Sequence, residues 1–147
     1  MDPAGKLFEN GGPGRCISVG DAQIVEIIHT SASDKTLRRA AGDYDFYPNG
    51  GTNQPGCQFF AAFICNHFRA FELYAEAINS PENLISRKCN NYENFTKGVC
   101  DDNEVAYFPV AQKIIKPKGT YYLQTDSKPP FGLGKQGSKG SNKNQFI

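Results

Sequence analysis

Apolar residues cluster in a few short segments of the chain, and these segments predict its regular elements. Residues 22–30, AQIVEIIHT, are β-branched and largely apolar on both faces, which is typical of a strand buried inside a mostly parallel sheet. Residues 69–79 predict a helix, because apolar side chains recur there at three- and four-residue spacing. These side chains are Ala70, Leu73, Tyr74 and Ile78. Residues 119–125 alternate well enough to predict a second strand.

Polar and turn-forming residues separate these elements. Residues 31–41 are polar and basic and predict a loop, whereas residues 45–51, DFYPNGG, carry turn residues after an aromatic pair. Residues 89–100 form a polar loop between two cysteines. Residues 126–147 contain four Lys, four Gly and two Pro with little to bury, which predicts a flexible tail. Two strands and one helix are too few elements for a self-contained α/β sheet.

Composition narrows the class of protein. The length of 147 residues suits one domain, and 39% hydrophobic with 12% aromatic residues is enough for a packed core. A net charge of +1 gives no field that would attract a polyanion, so nucleic acid is a poor candidate partner. The longest apolar run, residues 59–65, is too short to cross a bilayer.

The five cysteines indicate an oxidising environment. Short loops between cysteines, in a chain without a CxxC motif, favour disulfides over a zinc site. The two predicted pairs are Cys57 with Cys65 and Cys89 with Cys100, and Cys16 is left over. Asn94 begins an N-glycosylation triplet, Asn-Phe-Thr. No secretory signal is visible at the start of the chain, so we expect that an amino-terminal part is missing from it.

Only two histidines are available for acid–base chemistry. His67 follows a predicted disulfide at the start of the predicted helix, and this placement gives a general base the rigid seat that it needs. Without further support, a helix-capping or packing role would be the better interpretation of His67. His29 ends the buried strand, and we expect it to be a structural, hydrogen-bonded histidine.

Five motifs occur in order along the chain, and together they resemble a known family. They are Asp2-Pro-Ala-Gly5, Asp21-Ala22 followed by Ile28-His-Thr30, Asp45-Phe-Tyr-Pro-Asn-Gly-Gly51, Gln54-Pro-Gly-Cys57 and Cys65-Asn-His-Phe-Arg-Ala70. The chain resembles the carboxyl-terminal half of the pancreatic-lipase family, most closely the secreted insect phospholipases A1. The resemblance implies a partial α/β-hydrolase fold over residues 1–125, comprising the end of its mostly parallel sheet, a flanking helix and disulfide-stapled loops. A tail would follow at 126–147.

The resemblance also implies a Ser-His-Asp triad in which Asp2 orients His67. The Gly-x-Ser-x-Gly motif that carries the nucleophile does not occur in these residues, so the serine would lie outside the chain. We therefore expect the chain alone to be inactive. No metal or other cofactor is implied. Of the positions that bind calcium in some relatives, only Asp21 is retained, while Cys16 and Ser18 replace the others. Cys16 is expected to be a small core residue, or else the partner of a cysteine elsewhere.

In this family the lid lies between the two cysteines that precede the histidine. Here that segment holds seven residues, and the loop at 31–41 is short as well. Both features resemble phospholipases A1 more than triacylglycerol lipases. The lid side chains expected to meet lipid are Phe59, Phe60, Phe63 and Ile64, with packing in the core as an equal alternative. For the basic residues at 35–39, a solvated face is favoured over contact with anionic head groups.

The sequence thus predicts a secreted, extracellular ester hydrolase that acts on phospholipid or acylglycerol at a lipid interface. One alternative is a non-enzymatic, lipase-like protein of the lipid-binding or yolk type, which would keep the scaffold without the nucleophile. A second alternative is a disulfide-stapled interaction module unrelated to lipases. In that case Asp2 and His67 would lie far apart.

Overall fold

Five strands in the described parts of the chain form one mixed sheet. A computed structural model describes residues 1–5, 14–33, 35–57, 62–108 and 117–140. The strands are β1 (Glu26–Ile28), β2 (Tyr44–Pro48), β3 (Ile85–Lys88), β4 (Val105–Tyr107) and β5 (Gly119–Leu123). The helices are α1 (Ala62–Asn79), α2 (Tyr92–Thr96) and α3 (Gly134–Gly137), and short 3-10 turns cover Asn49–Gly51 and Pro81–Asn83. Within these ranges no helix combines the length and apolar character needed to cross a bilayer.

The strand order is β1-β2-β5-β3-β4. Strands β1, β2 and β5 run parallel, whereas β3 pairs antiparallel with both β5 and β4. This mixed arrangement with flanking helices confirms the predicted α/β class. The predicted count of two strands is too low, because β2, β3 and β4 were not recognised as strands. β3 and β4 are only four and three residues long, too short to show a period.

Strand β2 runs through the segment that was predicted as a turn. All five of its residues are buried, so the aromatic pair belongs to the sheet and turn chemistry begins only afterwards. Asn49, Gly50 and Gly51 have φ values of 52°, 81° and 77°. A Cβ atom on Gly51 would lie 2.6 Å from the Tyr47 ring, so glycine is required there.

Successive side chains of β2 and β5 point to opposite faces of the sheet, and each face has its own core. Phe46 and Tyr121 pack beneath α1, together with Leu73. Tyr47 and Tyr122 pack on the other face with Phe95 and the Cys89–Cys100 disulfide. Helix α2 lies inside that disulfide loop, so residues 89–100 contain a short helix rather than an irregular loop alone.

Helix α1 begins at Ala62, seven residues before the predicted start. Its first two turns carry Cys65, Asn66 and His67, whose side chains are weak helix formers and conceal the apolar period. Tertiary contacts hold these turns in place. The Cys57–Cys65 disulfide closes the loop before them, with 5.5 Å between the Cα atoms.

Two residues of the segment predicted as a tail at 126–147, Phe131 and Gly132, contact α1. Glu76 accepts the backbone N–H groups of Phe131 and Gly132 at 2.7 and 2.8 Å. Phe131 is buried, and its ring lies 4.2 Å from the guanidinium carbon of Arg69. Hydrogen bonds from Arg87 to Ser138 and from Gln124 to Gly137 hold further parts of this segment, whose composition suggested mobility; residues 141–147 lie outside the described ranges.

The buried tyrosines make the fold sensitive to alkali. Burial raises the pKa of Tyr121 from 10.0 to about 12, and it also raises the pKa of Tyr92 and Tyr122. A raised pKa means that the neutral phenol stabilises the folded chain fully below pH 10 and that this contribution is lost as the pH rises towards 12. We expect the free energy of unfolding, measured in urea by circular dichroism, to fall over that interval. Tyr121→Phe should make the fall shallower; an unchanged slope would contradict the assignment.

Candidate active site

The first residues of the chain lie against the carboxyl end of β1. The backbone N–H of Asp2 donates to the carbonyl of Ile28 at 2.6 Å, and the N–H of Leu37 donates to the carbonyl of Pro3 at 2.8 Å. Asp2 has a positive φ of 41° and is 1% exposed. The tertiary structure thus holds near the chain terminus a residue whose position alone would suggest a solvated carboxylate.

Four donors surround the carboxylate of Asp2. The backbone N–H groups of Thr30 and Ser31 donate to Oδ1 at 2.8 and 3.1 Å. The Ser31 hydroxyl donates a short hydrogen bond to Oδ2. The fourth donor is His67, whose Nδ1 lies 2.6 Å from the same Oδ2. These donors offset the cost of burying a carboxylate.

His67 connects this buried carboxylate to the surface. Its side chain is 43% exposed, whereas the Asp2 side chain is inaccessible. The Phe63 ring stacks parallel to the imidazole with 5.8 Å between centroids, and Phe68 meets it edge-on at 6.3 Å. Because a carboxylate can only accept, the Nδ1 atom of His67 carries the proton in this pair. The Nε2 atom is then free to take a proton from a third group and return it.

Two side chains that the sequence analysis left without a role, Asn66 and Arg69, fix the helix that carries His67. Asn66 accepts the backbone N–H of Gln54 at 2.8 Å. Arg69 donates to Glu72 at 2.8 Å and to the Pro55 carbonyl at 3.0 Å. Both lie in the Cys-x-His-x-Arg segment, so their proximity to His67 in the sequence was the available signal. Ser31 gave a weaker signal, since it only follows the Ile-His-Thr motif.

His29 forms a second pair that is completely buried. Its Nε2 atom lies 2.7 Å from Asp45 Oδ1 and its Nδ1 atom lies 3.0 Å from the Leu37 carbonyl. The Tyr47 ring stacks on it at 4.2 Å. These contacts occupy both ring nitrogens and agree with a structural histidine.

The predicted lid residues fall into two groups. Phe59 and Phe60 lie outside the described residues. Phe63 and Ile64 belong to the first turn of α1 and not to an exposed loop, because the helix begins at Ala62. Ile64 is 58% exposed, while Phe63 is half-buried against His67. Beside His67, a mostly apolar cavity of about 210 Å³ is lined by Met1, Phe68, Ala70 and Phe71.

The remaining predicted positions have no contact with this pair that the structure describes. Cys16 is half-buried and lies 2.9 Å from an Arg39 guanidinium nitrogen, so the expectation of a core residue is wrong. Asn94 lies in α2 and is partly exposed. Across the described ranges, His, Cys, Asp and Glu side chains nowhere gather in a group of three or more that could bind a metal ion.

Comparisons with known proteins agree with the motifs. The sequence profile of the family described as Lipase matches residues 1–131. Lipase member H-A of Xenopus laevis is 36% identical over 151 residues, which cover 89% of this chain and 33% of the relative. Pancreatic lipase-related protein 3 of Homo sapiens is 31% identical over 163 residues, covering 89% and 35%. Phospholipase A1 member A of Bos taurus is 36% identical over 107 residues, covering 69% and 24%. The chain spans about a third of the length of the first of these relatives.

Removal of the Ser31 hydroxyl tests how tightly Asp2 is held. Ser31→Ala takes away one donor from a buried carboxylate, so we expect the free energy of unfolding to fall by about 1.5–3 kcal/mol. Ser127→Ala, at an exposed serine, should change it by less than about 0.5 kcal/mol. Urea denaturation gives both values. Equal effects of the two substitutions would mean that the hydroxyl does not hold Asp2.

Proposed function

Because the chain belongs to the lipase family, we propose that it supplies the acid–base pair of a Ser-His-Asp hydrolase that cleaves lipid esters. The serine lies outside these 147 residues, since no Gly-x-Ser-x-Gly motif occurs in them. The observation that carries the proposal is the 2.6 Å contact between His67 Nδ1 and the buried carboxylate of Asp2. The half-exposed imidazole supports a role that needs access to substrate.

The chemical roles follow from this geometry. As the serine oxygen attacks the ester carbonyl, His67 Nε2 takes the hydroxyl proton and then delivers it to the departing alcohol oxygen. A water molecule next attacks the acyl-serine, and Nε2 takes its proton and returns it to the serine oxygen. Asp2 stabilises the imidazolium that forms in both steps. It keeps the ring in the tautomer that presents a free Nε2 atom.

We infer a substrate of the phospholipid class and cleavage at the sn-1 ester, as in phospholipases A1. The support is the short segment of seven residues between Cys57 and Cys65 and the short loop at 31–41. A relative named phospholipase A1 member A is consistent with this inference. The further likeness to insect phospholipases A1 rests on the motifs. The two disulfides favour secretion into an oxidising compartment.

The central test separates the acid–base pair from the nucleophile. The chain alone should not hydrolyse a short-chain ester. A chimera in which this chain replaces the matching third of Xenopus laevis lipase member H-A should hydrolyse phospholipid. His67→Ala and Asp2→Asn should each lower that rate by about 1,000-fold or more, whereas Lys97→Gln at an exposed position should not. Turnover by the chain alone that His67→Ala abolishes would refute the role of an external serine.

A second candidate function, lipid binding without catalysis, is favoured by an exposed apolar face of α1. Four side chains of α1 are roughly half or more exposed: Ile64, Phe68, Phe71 and Ile78. A chimera that folds, binds phospholipid vesicles and hydrolyses nothing would support this alternative. Restored hydrolysis would show that Asp2 and His67 form a competent acid–base pair, which counts against a protein that only binds lipid.

The helix end that meets lipid can be identified with two matched substitutions. Ile64 lies beside the Cys57–Cys65 disulfide, and Ile78 lies on the same helix about 21 Å away. Ile64→Asp should weaken binding to phosphatidylcholine vesicles about tenfold, because it places a charge where an apolar side chain would insert into the lipid. Ile78→Asp makes the same change in charge and should weaken binding less than about twofold. Equal effects in a sedimentation assay would contradict an interface at the first turn.

A further inference from the structure

A polar cavity lies one aromatic ring away from His67. It has a volume of about 260 Å³ and opens between the segment after β1, the segment after the turn at Asn49–Gly51, and the first turns of α1. Its polar lining residues are Ser31, Ser33, Thr52, Asn53 and Asn66. None of the described lining residues is acidic. Phe63 borders this cavity and also stacks on the His67 imidazole.

Asn66 gives this cavity a hydrogen-bond donor that lacks a partner. The residue is 4% exposed, and its Oδ1 atom accepts the backbone N–H of Gln54 at 2.8 Å. Because a backbone N–H can only donate, this bond identifies the oxygen of the amide and directs the Nδ2 group away from Gln54. Across the ranges that the structure describes, no acceptor bonds to Nδ2. An amide nitrogen that lines a cavity without a protein acceptor can donate to a ligand or to water.

A cation stands beside the same cavity. The Lys35 ammonium lies 4.7 Å from the centroid of the Phe63 ring. Elsewhere in the described chain, Lys97 and Lys118 pair with Glu93 and Asp43, whereas Lys35 forms no ion pair with any described residue. The Lys35 backbone N–H donates to Ser33 Oγ at 3.2 Å, which ties the lysine to the cavity wall. The site therefore combines hydroxyl and amide groups with a lysine ammonium that no described carboxylate pairs with.

We propose that this cavity binds the phosphate group of a phospholipid while its sn-1 ester lies at His67. The inference rests on the function proposed above and deepens it. Phosphate oxygens are strong acceptors and carry the negative charge that Lys35 lacks as a partner. Glycerol separates phosphate from ester by only a few bonds, which fits a cavity separated from His67 by the Phe63 ring. A triacylglycerol has no anionic group to place there.

The test uses the full chain and a soluble probe, sn-glycerol 3-phosphate, followed by two-dimensional NMR. The probe should shift the Asn66 side-chain amide and the Lys35 signals, whereas glycerol should not. Asn66→Asp keeps an oxygen that accepts from Gln54, so α1 stays fixed, and it replaces the donor by a negative charge, so binding should weaken tenfold or more. Lys35→Gln should weaken it roughly 3–10-fold. Lys97→Gln changes the net charge equally at a distant site and should have less than a twofold effect.

Several outcomes would overturn the proposal. If the probe causes no NMR shifts at the cavity, the proposal is wrong. It is also wrong if Lys35→Gln and Lys97→Gln weaken binding of the probe equally. Inorganic phosphate bound as tightly as sn-glycerol 3-phosphate would identify an anion site that does not select a lipid head group. In the active chimera, Lys35→Gln should lower the rate of phospholipid hydrolysis but not the rate with an uncharged short-chain ester. Equal losses with both substrates would contradict a phosphate site and would not affect the proposal for Asp2 and His67. An inactive chimera would refute the catalytic proposal. The NMR binding data would still show whether the cavity binds sn-glycerol 3-phosphate.

Discussion

The buried carboxylate of Asp2 is the group on which the arrangement of the site depends. A charge that is 1% exposed costs several kcal/mol unless donors surround it. The donors come from two places far apart in the sequence: the backbone after β1, with the Ser31 hydroxyl, and the imidazole on α1. The same carboxylate therefore joins the start of the chain, the end of a central strand and the helix that packs on the sheet. If any of the three moved, a buried negative charge would lose a partner.

The rest of the fold holds these partners in position. Alternating side chains of β2 and β5 fill a core on each face of the sheet, and α1 covers one of them. The Cys57–Cys65 disulfide, the Asn66 hydrogen bond to Gln54 and the Arg69 contacts fix the end of α1 that carries His67. The backbone N–H groups of Phe131 and Gly132 donate to Glu76 on the same helix. Structural and site residues are thus interleaved along a single helix.

The two histidines illustrate how far sequence patterns reach. Their different roles were predicted from position: His29 ends an apolar strand, and His67 follows a cysteine in a motif. The partners were less accessible, because Asp45 was assigned to a turn and Ser31 carried no pattern at all. The parallel strand β1 and the core of α1 were predictable from apolar spacing. Strand β2, the early start of α1 and the anchoring of Phe131 were not, since each depends on contacts with residues distant in the sequence.

The sequence by itself determined the α/β class, the two disulfide pairs and the motifs that indicate the lipase family, because these depend on residue type, local spacing and order along the chain. Only the tertiary structure decided that Asp2 is buried and meets His67, that His29 is sealed behind Tyr47, and that Asn66 directs an unpaired amide into a polar cavity. Each of these facts rests on a contact across 12 or more positions. Such contacts are selected by packing of the whole chain, which local propensity does not encode.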